Sequence, residues 1–253
     1  MENIILPRQD KDGNYYISYS QYTSFKSSSG FNTGLSGDLE YMQGYFFGKR
    51  YPDQGWSLFG TQAEDYICYR DYSKEEIAKL DAELIKQGQS TITEAINSFT
   101  EEERKTLDTI KPLGNFQVEV KYWLSENVYI YGFIDDATDD LSHIRDYKTA
   151  SKNSKARYYK DDYKQLDIYA LWVRQQTGKI PEQLEVVMIE RKGNCFGLEN
   201  RRDLLSVGEE VWYLDRETTE ERLFQIETDV KRTAEKISDM YKTYLSLQKF
   251  GLV

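Results

Sequence analysis

Leu223, Ile226, Val230, Thr233, Ile237, Tyr241 and Tyr244 follow one another at steps of three or four, with charged residues between them. That spacing predicts a long amphipathic helix over about 217–248 with its apolar stripe turned to a core. The same period predicts helices over 58–69, behind Ser73-Lys74-Glu75-Glu76 (Ile77, Leu80, Leu84), and from Thr100-Glu101-Glu102-Glu103 toward Ile110. In both four-residue signatures the hydroxyl and the carboxylate can each accept an otherwise unpaired amide N–H of the first turn. Pro112 and Gly114 end this block. Short helices are expected near 18–20 and over 39–47. From residue 116 the pattern becomes extended and rich in β-branched and aromatic residues, predicting strands over 116–124, 128–137, 142–149, 183–190 and 209–214. A polar connector (151–157) and a helix over about 161–176, stopped by Gly178, fall between the third and fourth strands. This order predicts one mixed α/β domain over 1–253: a helical segment (58–112), a sheet core (116–215) and the C-terminal helix.

The two runs 128–137 and 142–149 flank Asp139-Asp140-Leu141-Ser142, which reads as a hairpin turn. With its centre between Asp140 and Leu141, Asp135 lies opposite Asp146. Lys148 shares a face with Asp146, while Tyr147 and His143 take the other. Facing carboxylates repel unless something neutralises them. A divalent cation would do so, and so would Lys148 in a plain salt-bridge ladder; the spacing leaves both open.

Composition narrows the setting. A formal charge of −10 argues against a general electrostatic grip on nucleic acid, so any such surface must be local. One stretch qualifies: Arg145, Lys148, Lys152, Lys155, Arg157, Lys160 and Lys164 stand against Asp146, Asp161 and Asp162, with Tyr158 and Tyr159 among them. Aromatic residues make up 14% of the chain, which predicts a core built largely from rings. Cys68 and Cys195 are too few for a four-thiolate zinc or iron–sulfur site, and read as thiols of a reducing compartment or as a single pair. No apolar run approaches the roughly 18 residues of a membrane span, and the first residues lack a signal-peptide pattern, so a cytoplasmic protein is expected.

Taken together, Gly132-Phe133-Ile134-Asp135, Asp146-Tyr147-Lys148-Thr149 and Gln165-Leu166-Asp167-Ile168-Tyr169 resemble the RecB-like branch of the PD-(D/E)XK nuclease superfamily. Gly60-Thr61-Gln62-Ala63-Glu64 resembles that branch's upstream helical motif, and the segments at 18–20 and 41–50 resemble the start of such proteins. The resemblance implies a restriction-endonuclease-like fold, a mixed central β-sheet flanked by helices with an N-terminal helical part. It implies a Mg²⁺- or Mn²⁺-dependent DNA nuclease, an exonuclease acting on duplex ends or single strands in recombination, repair or replication. Glu64, Asp135, Asp146 and the Tyr147 carbonyl would hold the metal, and Lys148 would be the catalytic lysine. Gln165 and Tyr169 would sit beside the substrate, with Lys152, Lys155 and Arg157 on its backbone. Glu119 is a further acidic neighbour, read as a solvated strand position. A helicase, a recombinase or a single-strand-binding protein would be a fitting partner. Asp136 stands where the branch often carries Arg, leaving open which of Asp135 and Asp136 turns inward. A structure-specific DNA or RNA endonuclease on the same site, or a nucleic-acid-binding protein without turnover, are the alternatives.

Overall fold

Residues 4–26, 37–49, 55–160, 163–196, 198 and 201–252 are described in the computed structural model. Arg50 and the acidic pair Asp161 and Asp162 of the expected basic stretch lie outside them. Strand β1 (Tyr15–Ser18) leads into α1 (Tyr19–Lys26), α2 (Gly37–Tyr45), α3 (Gly55–Tyr69), α4 (Lys74–Lys86), α5 (Ile92–Asn97) and α6 (Glu101–Leu107). Then come β2 (Asn115–Ser125), β3 (Val128–Ala137), β4 (His143–Ala150), α7 (Gln165–Thr177), β5 (Gln183–Gly193), β6 (Leu205–Arg216) and α8 (Glu220–Lys249).

The strands form one six-stranded mixed sheet in the order β1-β3-β4-β5-β6, with β2 also paired to β3. β4 and β5 run parallel, with α7 as the crossover between them, whereas β2–β3 and β5–β6 are antiparallel. One face carries α7 and α8 over Ile130, Ile134, Ile144, Val186 and Met188. The other carries α3 and α6, with Phe59, Ala63, Ile67 and Leu107 against Tyr147, Val187 and Ile189. The expected mixed sheet flanked by helices is therefore present.

Local chemistry accounts for the helix starts. Ser73 and Thr100 both close reciprocal capping boxes with Glu76 and Glu103, as their spacing predicts. Thr91 and Glu94 make a third, which starts the unexpected helix α5. In α8, Leu223, Ile226, Val230, Thr233 and Ile237 are all buried, and Arg222 forks onto Asp167 of α7 with two 2.9 Å bonds. Several elements differ from expectation, β6 among them, which spans Leu205–Arg216 rather than 209–214. β1 is an additional strand, the connector after β4 winds into a 3₁₀ turn over Lys152–Tyr159, and α7 begins at Gln165. Cys68 and Cys195 are both buried free thiols, which settles the pairing question. Among the described residues no helix is long and apolar enough to cross a membrane.

Candidate active site

The site forms where the sheet comes apart. β3 and β4 pair only at Asp136↔Arg145 and Ala137↔Ile144, next to the turn, in the register the turn spacing predicts. Asp140 pins that turn by accepting from the Ser142 amide (3.0 Å) and the Thr138 hydroxyl (2.8 Å). Beyond Asp136 the strands diverge. β4 stays with β5 along its length, while β3 follows β2 and, at its start, β1. The Tyr147 amide, which would have continued the β3–β4 ladder, donates to the Asp135 carboxylate at 2.8 Å. Asp135 and Asp146 thus flank a split in the sheet.

Asp146 is fully buried. Its Oδ2 receives the Lys148 ammonium at 2.6 Å and the Tyr163 hydroxyl at 2.6 Å, while Oδ1 is buried with no hydrogen-bond partner. A buried carboxylate oxygen without a donor is costly, and a hard cation is the kind of ligand that removes the cost. Lys148 also reaches the Tyr147 carbonyl at 3.1 Å. Burial pulls its pKa down, but Asp146 and Asp135 outweigh that and hold it above the ordinary lysine value. Asp136 turns the other way, accepting from the Leu113 and Gly114 amides and from the Tyr147 hydroxyl at 2.7 Å. Of the two neighbouring aspartates, Asp135 faces the split.

Glu64, on α3, shares with Asp135, Thr61, Gln117 and Phe133 the wall of a cleft of about 840 Å³. Yet among the described residues no three Asp, Glu, His or Cys side chains come together as a ready metal cage. The expected set of Glu64, Asp135 and Asp146 is assembled only in part, since three carboxylates repel one another without a cation between them. Burial and then Asp135 raise the Glu64 pKa well above the usual value, and burial and then Asp146 push Asp135 up to about 7. Asp65, beside Glu64, is pushed up to about 7 by burial and then Asp81. An acid whose folded pKa exceeds its unfolded value keeps a proton in the native state that the unfolded chain has already lost. Stability contributed this way is complete below the unfolded pKa and falls as pH rises toward the folded one. The cation-free chain is therefore expected to lose melting temperature as pH rises from about 4 through about 7, the value to which Asp135 and Asp65 are pushed. Added Mn²⁺ should reverse the loss at pH 7.5, because binding selects the ionised carboxylates. Thermal melts in EDTA and in Mn²⁺ test this; a Tm that climbs from pH 5 to 7 in EDTA contradicts it.

Two glycines of the motifs have steric causes. Gly132 lies under the Tyr169 ring, where an added Cβ would come within 3.3 Å of it, and Gly60 brings α3 against Thr149 of β4. Gln165 donates to the Tyr169 hydroxyl at 3.0 Å, and its carbonyl oxygen lies 3.4 Å from the Tyr163 hydroxyl. Tyr169 is only 4% exposed and belongs to the main core. It packs over Gly132 and accepts from Gln165, which puts it behind the carboxylates rather than on an exposed surface. Tyr163 was not expected here, and only its position two residues before Gln165 hinted at it.

The basic stretch also changes on folding. Lys152 pairs with Glu210, Lys164 with Asp229 (3.1 Å), Arg145 with Glu185 (2.5 Å) and Lys148 with Asp146. Lys155 lies over the Trp212 ring, and Lys155, Arg157 and Lys160 form no ion pair with a described residue. These three are the members of the seven-cation stretch without an ion pair among the described residues: Arg145, Lys152 and Lys164 are paired with acids from distant parts of the chain, and Lys148 with Asp146 two residues away.

Residues 53–244 match the family model described as the PD-(D/E)XK nuclease superfamily. Among solved structures, the chain is similar to a protein of Eubacterium rectale named as a candidate exonuclease. Identity is 17% over 94% of this chain and 82% of that one, with a TM-score of 0.44. A search of curated proteins finds no match. With more than half of its length covered by the family model, and a split sheet carrying Asp135, Asp146 and Lys148, the chain belongs to the PD-(D/E)XK nuclease superfamily.

Proposed function

We propose that the chain is a metal-dependent DNA nuclease that hydrolyses phosphodiester bonds as an exonuclease, at duplex ends or on single strands. The observation that carries this reading is the buried Asp146 Oδ1 without a donor, across the split from Asp135 and beside the Lys148 ammonium. Asp135, Asp146 and the Tyr147 carbonyl, with Glu64 from the cleft wall, are the oxygen donors that would hold Mg²⁺ or Mn²⁺. Bound there, such an ion supplies a Lewis acid for the phosphoryl oxygen and lowers the pKa of a coordinated water. The chain's own groups do the rest. Lys148 is placed to neutralise negative charge developing on the phosphate. Tyr163 fixes the orientation of Asp146, and Gln165, held by Tyr169, borders the reacting region. Phe133, 38% exposed on the cleft wall, offers a ring on which a base can stack.

The test is degradation of end-labelled linear DNA in Mg²⁺ or Mn²⁺, compared with EDTA and with covalently closed circular DNA. Cation-dependent loss of the linear substrate with the circle intact is the expected result. Cleavage of the circle would mark an endonuclease, and binding without cleavage in any divalent ion would overturn the enzymatic reading. Replacing Lys155, Arg157 and Lys160 by Ala should weaken DNA binding. It should also flatten the salt dependence of log K, by about 0.7 for each lost contact to a single strand.

A further inference from the structure

We infer that Gln117 is a positioning residue: its side-chain amide holds Glu64 at the cleft beside Asp135, so that the third carboxylate is in place for the cation. This deepens the nuclease reading above and rests on it. Gln117 sits on β2 opposite Asp135, between the pairs Phe116↔Asp136 and Val118↔Ile134, and is itself left out of the ladder. Both strands turn over at this point. Phe116 packs with the α3-side core but Val118 with the opposite one. Likewise Ile134 belongs to the opposite core, while Asp136 bonds the hydroxyl of Tyr147, whose ring lies on the α3 side. Two neighbours of equal parity on opposite faces require one residue to break the alternation, and on β2 that residue is Gln117, with φ +50°.

A left-handed backbone is the natural place for Gly or Asn, and a longer side chain carries a steric penalty there. Gln117 accepts that strain and uses its length. Its Nε2 donates to Glu64 Oε1, tying the strand to helix α3 across the mouth of the cleft. The amide suits this task in two ways. Being neutral, it does not repel an incoming cation as a lysine would, and it engages one oxygen of Glu64, leaving Oε2 for a metal.

Gln117→Gly removes the amide and relieves the left-handed strain together, so function and stability move apart. Gln117→Asn keeps a side chain that tolerates this backbone but is one methylene too short. With the full-length chain, Mn²⁺ binding measured by calorimetry is expected to weaken about 10–100-fold in both variants. At fixed, subsaturating Mn²⁺ kcat should fall in step, with KM for DNA held, while the Tm of the cation-free Gln117→Gly chain is no lower than wild type. In a Glu64→Gln background, Gln117→Gly should add less than about 2-fold, because the two act as one unit. Folded Gln117 variants with unchanged or tighter Mn²⁺ binding, in a wild-type chain that does bind Mn²⁺ and cleave DNA, overturn the inference alone. So does full additivity with Glu64→Gln. A wild-type chain that takes up no Mn²⁺ and leaves DNA intact removes the nuclease reading, and the inference with it.

Discussion

Lys148→Ala is expected to slow cation-dependent cleavage of linear DNA by about 10²–10³-fold, and Asp146→Asn by at least as much. Lys148 is the ammonium placed within 2.6 Å of Asp146 and 3.1 Å of the Tyr147 carbonyl, inside the split where β3 and β4 part. On the proposed mechanism, charge developing on a phosphate at this position would be met by Lys148. Losing the lysine should therefore appear in kcat with KM for DNA little altered, the pattern of an interaction made chiefly in the transition state. Asp146→Asn removes one of the three carboxylates proposed to hold the cation and weakens the Lys148 pair, so it should also raise the Mn²⁺ concentration needed for half-maximal rate. The check is single-turnover cleavage of end-labelled DNA across a Mn²⁺ titration, with melting curves showing that the variants are folded. Wild-type rates in either folded variant would falsify the assignment of this hairpin to the chemistry.

Asp136 and Asp135 are adjacent, yet opposite outcomes are expected from them. Asp136 is fully buried and accepts from Leu113 N (2.8 Å), Gly114 N (3.1 Å) and the Tyr147 hydroxyl (2.7 Å), with the Arg145 guanidinium 4.0 Å away. Asp136→Ala strands three donors and weakens the compensation of a buried arginine, a loss of about 3–5 kcal/mol. At roughly 2–4 °C per kcal/mol for a chain of this size, Tm falls by about 6–20 °C. Asp135→Asn instead removes a carboxyl whose ionisation burial and Asp146 already oppose. The cation-free Tm should hold or rise, while Mn²⁺ no longer stabilises the chain as it does the wild type and activity is lost. Melting curves of the two variants with and without Mn²⁺ separate the cases. If Asp135→Asn is the one that unfolds and Asp136→Ala the one that merely loses activity, the assignment of the two is reversed.

How far the chain could be read without its fold follows from the range of each interaction. Capping boxes join residues three apart, so Ser73 with Glu76 and Thr100 with Glu103 were visible in the sequence and are present. Thr91 and Glu94 carry the same signature, but the six residues of Ile92–Asn97 are too few for an apolar stripe to show. The hairpin register was equally local, set by a turn of few residues, and it brought Asp135 to Asp146 rather than Asp136. β1 was not legible, because Tyr15–Ser18 is a strand only through its parallel pairing with Val128, more than a hundred residues away. The pairing within the basic stretch was not legible for a related reason: Glu185, Glu210 and Asp229, which pair with three of its cations, approach only in the folded chain.

The sequence by itself determined most of the helices and strands and the hairpin register that turns Asp135 rather than Asp136 toward β4, because periodicity, capping and turn chemistry act over a few positions. Only the tertiary structure decided that β3 leaves β4 beyond Asp136, that Asp146 keeps an oxygen without a donor, and that Gln117 reaches Glu64 from a left-handed backbone. Those features depend on β4 pairing with β5 and β3 with β2, contacts between strands that the local pattern identifies but cannot order.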